Sequence, residues 1–248
     1  MAASISLISL NIERSKHLGT VVPFLKERNA DVVCLQEVVE HDIPRLEEVV
    51  GPCCIFRRET LVTNEGIEGV GIFSRGEVHS NAAHCYVGTS GGLPTFDPTS
   101  APTKHLTQNL WLLFCNLAFA EESFRIATTH FTWTPNGYPD DDQRRDIHSL
   151  LDLLGTSGEF VLAGDFNAPR GGEIFTQLAE KYKDNIPSKY ITSLDISLHR
   201  AGKNKPHELV DKMVDGLFST PGYRVSDVEL IPGISDHCAI VASVAKVG

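Results

Sequence analysis

The feature that most constrains the fold is a series of apolar segments that each end on polar residues. Residues 5–11 (ISLISLN) and 31–37 (DVVCLQE) are two such segments, and each is typical of a buried strand. Between them, four apolar residues fall at helical spacing: Leu18, Val21, Val22 and Leu25. Pro23 fits only the first turn of that helix, where its missing N–H is tolerated. The chain therefore begins with a predicted strand–helix–strand unit.

The second half of the chain repeats this plan. Residues 124–130 (FRIATTH) and 160–167 (FVLAGDFN) are predicted strands, and residues 140–154 between them are a predicted helix. The helix has one apolar face, formed by Ile147, Leu150, Leu151 and Leu154, and Gly155 is its expected C-terminal stop. Two such units predict two related layers that pack face to face, with helices on the outside.

Further strands are predicted near 69–74 and at 78–86, 109–118, 213–220 and 237–244. Segment 88–107 is rich in Gly, Pro, Thr and Ser and is predicted to be a long loop. The length of 248 residues suits one large domain or two small ones.

Composition limits the compartment and the partners. The N-terminus has no basic leader and no apolar stretch is long enough to span a bilayer, so a cytoplasmic protein without a membrane partner is expected. The six cysteines lack metal-ligand spacing, and reduced thiols are favoured over disulfides. The net charge of −10 argues against a protein that coats nucleic acid, but it permits a nuclease with a local basic path.

Six segments place polar side chains directly beside apolar strands. Each segment alone is weak evidence, because Asp and Asn favour turns and a glutamate after a strand is commonly a loop residue. Their joint presence and order indicate side chains that converge at the edge of the core. The residues are Asn11 in SLNI, Glu37 in LQEV, His130 in TTHFTW, Asp165 and Asn167 in GDFN, Asp215 in VDGLF, and Asp236 and His237 in SDH.

Together with GIFSR at 71–75, these segments resemble, in order, the motifs of the endonuclease/exonuclease/phosphatase superfamily, the deoxyribonuclease-I-like group. The resemblance extends from about residue 5 to residue 244. It implies a four-layered α/β sandwich, in which two packed mixed β-sheets have helices outside. It also implies a single catalytic domain over residues 1–248 and metal-dependent hydrolysis of a phosphodiester.

The residue types suit a divalent cation at one side of such a site. Glu37 supplies the hard oxygen ligand that Mg²⁺ prefers, with Mn²⁺ as an alternative ion. Asn11 and Asp236 are candidates to hold the same ion directly or through water. Mg²⁺ is therefore the expected cofactor.

The resemblance implies the remaining roles. Asp165 would orient or deprotonate the attacking water, and Asn167 and His130 would bind the phosphoryl oxygens. His237 would act on the phosphate or as an acid–base group, and Asp215 would hold its ring and make it more basic. The strand that carries Asp215 is then expected to run beside the strand that starts at His237.

The substrate is less constrained than the chemistry. The short chain, LQEV and the QNLWL stretch at 108–112 look closest to small bacterial-type nucleases and tyrosyl-DNA phosphodiesterases. SLNIERS departs from the abasic-endonuclease pattern, and no hydrophobic hairpin suggests a sphingomyelinase. DNA or a DNA 5′ end is the preferred substrate of an expected monomer. The alternatives are a phosphatase of a small phosphorylated metabolite or inositol-type substrate, and a non-catalytic binding module.

Several residues are candidates for substrate contacts. His199 and Arg200 could touch phosphate, and Trp133 and Tyr138 could stack on a base or an aromatic leaving group. The alternative for either aromatic residue is packing on a neighbouring loop. Seven cations could contact a nucleic-acid backbone or form a solvated face: Lys181, Lys183, Lys189, Arg200, Lys203, Lys205 and Lys212.

Overall fold

Two six-stranded mixed sheets form the centre of the molecule in the computed structural model, which describes residues 3–89, 91–97 and 107–247. The strands of sheet A are β1 (Ser4–Asn11), β2 (Val32–Val39), β3 (Cys53–Val62), β4 (Gly66–Ser74), β11 (Tyr223–Ile231) and β12 (Ala239–Lys246). The strands of sheet B are β5 (Glu77–Val87), β6 (Leu110–Phe119), β7 (Glu122–His130), β8 (Val161–Asp165), β9 (Lys183–Asp184) and β10 (Asp215–Ser219). Their spatial orders are β11-β12-β1-β2-β4-β3 and β5-β6-β7-β8-β10-β9.

The α-helices of the described chain connect or flank these strands. They are α1 (Leu18–Arg28), α2 (Ile43–Val50), α3 (Asp141–Gly155) and α4 (Glu173–Ala179). Short 3₁₀ turns occur at Glu40–Asp42, Pro135–Gly137 and Pro206–Glu208.

Each sheet has one parallel strand pair, joined by a helix. β1 pairs in parallel with β2 across α1, and β7 pairs in parallel with β8 across α3. Parallel neighbours need such a crossover, because a tight hairpin reverses the chain direction. The two strand–helix–strand units that the sequence predicts are therefore confirmed, and the carboxyl ends of their strands carry the predicted polar groups.

Three apolar clusters hold the layers together. Leu7, Val32 and Cys34 of sheet A pack with Leu113 and Ile126 of sheet B in a core between the sheets. The outer faces of the two sheets are covered by helices, with Val21 and Leu25 of α1 on sheet A and Ile147, Leu150 and Leu154 of α3 on sheet B. The order helix, sheet, sheet, helix confirms the predicted four-layered α/β sandwich.

The position of Pro23 differs from the sequence prediction. Because the helix begins at Leu18, Pro23 lies inside α1 and beyond its first turn. Pro23 is exposed, so water can satisfy the carbonyl of Gly19 that lacks a helical partner there.

Other regions were absent from the prediction or extend beyond the described residues. The sequence patterns did not predict β3, β9, β11, α2 or α4. Part of the predicted loop at 88–107 lies outside the described residues, namely 90 and 98–106, and Thr95 in the described part forms a bridge with Leu61.

The described helices and the cysteines bear on the predicted compartment. No helix in the described ranges combines the length and the apolar character needed to cross a bilayer. All six cysteines are free thiols, as predicted, and Cys34, Cys115 and Cys238 are buried.

Candidate active site

The ends of strands from both sheets bring the predicted polar residues to one cleft. Asn11 ends β1, His130 ends β7 and Asp165 ends β8, while Asp215 begins β10. The cleft has a volume of about 620 Å³. Its lining includes Glu37, His130, Asp165, Asn167, Asp236 and His237. The side chains that the sequence grouped by order are therefore neighbours in space.

Asp165 lies at the centre of this group. Its Oδ2 accepts a hydrogen bond from Asn11 Nδ2 at 3.1 Å and lies 3.8 Å from Nε2 of both His130 and His237. Its Oδ1 accepts from the backbone N–H of Asn167 at 2.8 Å. Burial raises the pKa of Asp165, although the nearby histidines oppose that shift. A carboxylate with a raised pKa is a stronger base than an exposed one.

His237 is held by Asp215. Nδ1 of His237 lies 2.7 Å from Oδ2 of Asp215, and both side chains are buried. Burial alone would lower the pKa of His237, but the charges of Asp215 and Asp165 raise it well above its usual value. The ring can thus donate from Nδ1 to Asp215 while Nε2 faces Asp165.

One sequence expectation about this pair is wrong. The strand of Asp215 was expected to run beside the strand that follows His237, but β10 pairs with β8 and β9 in sheet B. β12 instead pairs with β1 and β11 in sheet A. The two side chains meet across the sandwich, because strand ends of both sheets reach the same edge.

His130 has its own carboxylate, which the sequence analysis missed. Nδ1 of His130 lies 3.3 Å from Oε2 of Glu59, a fully buried residue of β3. Among the described residues, Oε1 of Glu59 has no hydrogen-bond partner. Burial would lower the pKa of His130, but Glu59 and Asp165 raise it to about 10. The available signal was a glutamate within RRETLV (57–62), a segment with no predicted strand.

Glu37 lies at a bulge in β2. The pairing of β2 with β4 shifts register between Leu35 and Val38, and Glu37 has a φ of 54°. A bulge redirects a side chain, and positive φ is unusual for a residue with a Cβ atom. Oε1 of Glu37 accepts a hydrogen bond from Asn11 Nδ2 at 3.1 Å, while 20% of the Glu37 side chain remains exposed.

Asn11 organises the carboxylates around it. Its Nδ2 donates to both Glu37 and Asp165, and its Oδ1 accepts from the backbone N–H of Glu13 at 3.0 Å. In this arrangement the amide nitrogen, and not the oxygen, faces the two carboxylates. The predicted contact of Asn11 with a metal ion stays a prediction.

Two further residues near Asp236, Glu13 and His17, have atoms that could bind a metal ion. Ligand atoms of Glu13, His17 and Asp236 lie within 4.8 Å of one another. Burial raises the pKa of Asp236 to about 6. Carboxylate oxygens are the donors that Mg²⁺ prefers, and together with Glu37 this set fits a divalent cation. Glu13 was missed, although its position two residues after Asn11 was the available signal.

Arg14 brings a cation to the same end of the cleft, but carboxylates surround it. Its side chain lies 2.6 Å from Glu65, 3.3 Å from Glu68 and 3.8 Å from Glu37. Burial raises the pKa of Glu68 to about 8. Most of the charge of Arg14 is therefore neutralised by the protein itself.

The predicted substrate contacts all line the same cleft. These residues are His199, Arg200, Trp133 and Tyr138. Tyr138 is 73% exposed, and Nζ of Lys212 lies 5.3 Å from the centre of its ring. Only Arg200 and Lys212, of the seven cations at 181–212, are among the lining residues. The other five cations are not among the lining residues, and the predicted contact of this segment with a nucleic-acid backbone stays a prediction.

The fold is shared with several solved structures. An endonuclease/exonuclease/phosphatase from Beutenbergia cavernae matches with a TM-score of 0.73 and 17% identity, over 99% of this chain and 72% of its own. One from Bacteroides vulgatus matches with a TM-score of 0.71 and 16% identity, over 99% and 100%. D. rerio TDP2 complexed with single-strand DNA product matches with a TM-score of 0.68 and 16% identity, over 98% and 100%.

Comparison at the level of sequence gives the family. No curated protein sequence matches the chain. The model of the Endonuclease/Exonuclease/phosphatase family matches residues 8–237, a range that contains every motif residue of the cleft. The chain therefore belongs to the Endonuclease/Exonuclease/phosphatase family.

Proposed function

We propose that the protein is a Mg²⁺-dependent phosphodiesterase that hydrolyses nucleic acid, with DNA or a DNA 5′ end as the substrate. The observation that carries this proposal is the position of Asp165. Its Oδ2 lies 3.8 Å from Nε2 of two histidines, and each histidine has its own buried carboxylate. This arrangement supports a role for Asp165 as the group that accepts a proton. It also supports a role for the two flanking histidines as groups that bind negatively charged oxygens.

In the proposed reaction, Asp165 accepts a proton from water while the water oxygen attacks phosphorus. The bond between phosphorus and the leaving oxygen then breaks, and the leaving oxygen, which keeps the electron pair, takes up a proton from solvent water. Protonated His130 and His237 donate hydrogen bonds from Nε2 to the phosphoryl oxygens. Asn167 Nδ2 donates one of its hydrogens to the carbonyl of Phe131 at 2.8 Å. In the proposed reaction its other hydrogen is donated to a phosphoryl oxygen.

Glu37 and Asp236 are the proposed carboxylate ligands of the ion, with Asn11 and Glu13 beside them. A bound Mg²⁺ would offset negative charge on the phosphoryl and leaving oxygens. The partly buried Glu37 and the buried Glu13 and Asp236 support this assignment, because closely spaced carboxylates repel one another without a cation.

Two observations support nucleic acid as the substrate: the similarity of the fold to that of D. rerio TDP2 and an exposed aromatic residue at the rim of the cleft. D. rerio TDP2, which has the same fold, is complexed with a single-strand DNA product. An exposed Tyr138 at the rim of the cleft suits stacking on an unpaired base.

We also propose that the chain acts as a monomeric catalytic unit in the cytoplasm, where its free thiols would stay reduced.

A small phosphate ester is the second candidate substrate, and one observation favours it. Only Arg200 and Lys212 of the predicted basic path line the cleft, and the net charge is −10. A long polyanion gains most of its affinity from many cations, so this cleft suits a short substrate as well.

Hydrolysis of a substrate panel tests both candidates. The panel contains bis-p-nitrophenyl phosphate, single-stranded DNA, duplex DNA, abasic DNA, 5′-tyrosyl DNA and an inositol polyphosphate, each with Mg²⁺ and with excess EDTA. The proposal predicts Mg²⁺-dependent turnover of at least one DNA substrate. Turnover of the inositol polyphosphate or bis-p-nitrophenyl phosphate without turnover of any DNA substrate selects the second candidate. Absence of turnover of every substrate with every divalent ion supports a binding module.

A further inference from the structure

The segment between β9 and β10, residues 185–214, is attached directly to the active-site strands. The carbonyl of Ser193 accepts from the backbone N–H of Cys238 at 2.7 Å, and Asp195 N–H donates to the carbonyl of Asp236 at 2.8 Å. The hydroxyl of Ser193 also accepts from the backbone N–H of Asp215 at 3.1 Å. The segment thus has a fixed position relative to both residues of the His237–Asp215 pair.

Within this segment, residues 195–202 form a tight turn. The buried carboxylate of Asp195 accepts from the backbone N–H of Ser197 at 2.8 Å and of Gly233 at 2.6 Å. A Cβ atom at Gly202 would lie 1.7 Å from the carbonyl oxygen of Ile196, so only glycine fits there. The turn therefore holds its side chains in a defined place.

His199 in this turn is a neutral hydrogen-bond donor. Its Nδ1 accepts from the backbone N–H of Ala201 at 3.1 Å, so the ring proton of the neutral form is on Nε2. Burial, together with the charges of His237 and Arg200, lowers the pKa of His199. His199 lines the cleft beside His237, where an Nε2–H can donate to an anionic oxygen.

Arg200 and Lys212 each bring a positive charge to the lining of the cleft. Arg200 is exposed and has no carboxylate within ion-pair distance among the described residues, in contrast to the neutralised Arg14. Nζ of Lys212 lies 5.3 Å from the ring centre of Tyr138. Of the nearby lining carboxylates, Glu208 is paired with Lys205 at 2.8 Å.

We propose that His199, Arg200 and Lys212 form a subsite for a second phosphate, next to the phosphate that is hydrolysed. This inference rests on the proposed function and names its substrate class, a nucleotide or oligonucleotide with another phosphate on the same nucleoside. Guanidinium and ammonium groups bind phosphate through charge-assisted hydrogen bonds, and a neutral imidazole N–H adds a third donor. A lone phosphate ester would leave the guanidinium of Arg200 and the Nε2–H of His199 without a phosphate contact.

Two matched esters test the subsite. Thymidine 5′-(p-nitrophenyl phosphate) and its 3′-phosphorylated form have the same reacting phosphate and leaving group, but only the second has another phosphate. We expect kcat/KM to favour the second ester by about tenfold or more, the scale of one charged hydrogen bond. Arg200→Gln should reduce this ratio to about two. His199→Leu should lower the ratio, and His199→Gln, which keeps an N–H donor, should restore much of it.

Arg224→Gln is the matched control. Arg224 is exposed on β11 and does not line the cleft, so this variant has the same change in net charge. The ratio should stay at the wild-type value. Equal ratios in the Arg200 and Arg224 variants, or a wild-type ratio near one, would overturn the subsite.

A binding measurement separates the subsite from the proposed function. By calorimetry, thymidine 3′,5′-bisphosphate should bind about tenfold more tightly than thymidine 5′-monophosphate, and Arg200→Gln should remove the difference. If neither ester is hydrolysed with any divalent ion but this difference is present, the subsite stands and the proposed function fails. Equal affinities for the two nucleotides would contradict the subsite whether or not the esters are hydrolysed.

Discussion

The β1–α1–β2 and β7–α3–β8 units have the same connectivity but expose their polar groups differently. In the first unit, the Glu37 side chain is 20% exposed. In the second, His130 and Asp165 are register partners whose side chains are only 7% and 2% exposed. A carboxylate near solvent is accessible to a cation, whereas the buried His130 and Asp165 have raised pKa values that suit proton transfer. The same topology thus produces two kinds of chemistry.

Local backbone geometry causes this difference. The β2 ladder shifts register at Glu37, where φ is 54°. The β8 ladder continues in register to its last residue, so Asp165 lies opposite both His130 and Asp215. A bulge redirects the Glu37 side chain, and the regular ladder keeps the Asp165 side chain beside those of His130 and Asp215 on one face of sheet B.

The largest expected effect separates metal binding from turnover. Asp165→Asn should reduce turnover by about a thousandfold, within the range for loss of a positioned proton acceptor, but should change Mn²⁺ affinity by only about threefold. Glu37→Gln should reduce both Mn²⁺ affinity and turnover, because it removes the charge of a proposed metal ligand. Mn²⁺ affinity by electron paramagnetic resonance and turnover of bis-p-nitrophenyl phosphate measure the two effects.

The wild-type protein in excess EDTA is the control, and it should show no turnover. An equal loss of Mn²⁺ affinity in Asp165→Asn and Glu37→Gln would show that the two strand–helix–strand units do not differ in their contribution to metal binding. Turnover that persists in EDTA would contradict the role of Glu37.

The second prediction concerns the pair that crosses between the sheets. His237→Ala should reduce turnover by about a hundredfold or more. Asp215→Asn should also be severely impaired, because it keeps the shape of the side chain but loses the charge that orients the ring. The double variant should be no worse than about the poorer single variant, since the residues act together. Melting temperature is the control for folding, and two fully additive losses would refute the pairing.

Much of this site could be predicted because its residues follow recognisable strands. Asn11, His130 and Asp165 each end a strand of the two predicted units, and the order of the motifs supplied the family resemblance. The fold followed from the same pattern, since each unit demands a parallel pair with a helix on one face.

The missed residues have no local signal of this kind. Glu59 lies in the middle of β3 and is recognised only by its contact with His130, 71 residues away in the chain. The pairing of β10 with sheet B likewise depends on contacts between distant segments. Sequence periodicity describes how one segment is buried, but it does not state which segments pack together.

The third prediction uses the raised pKa of His130 and concerns stability. The pKa rises from 6.5 to about 10 in the folded protein. The folded state therefore binds this proton more tightly, so the stabilisation is complete below pH 6.5 and is lost as the pH rises toward 10. The free energy of unfolding of the wild type, relative to His130→Gln, should fall by up to about 1.4 kcal/mol per pH unit in that window.

Urea unfolding in EDTA at several pH values measures this difference. Glu59→Gln should flatten the dependence, because it removes the carboxylate that raises the pKa of His130. Since His237 is present in all three proteins, its own titration should largely cancel. A difference between wild type and His130→Gln that does not change with pH would show that the pKa of His130 is not raised in the folded protein.

The smallest expected effect concerns the segment that follows the second unit. If all seven cations of residues 181–212 contacted a single strand, the logarithm of affinity would fall against the logarithm of salt concentration with a slope of about −4.9. Only Arg200 and Lys212 line the cleft, so we expect a slope of about −1.4. Arg200→Gln should make the slope shallower by about 0.7, whereas Lys181→Gln, outside the cleft lining, should leave it unchanged. Fluorescence anisotropy with a labelled oligonucleotide measures the slope. A steep slope that both variants reduce equally would restore the extended basic path, and nucleic-acid recognition would then extend well beyond the cleft.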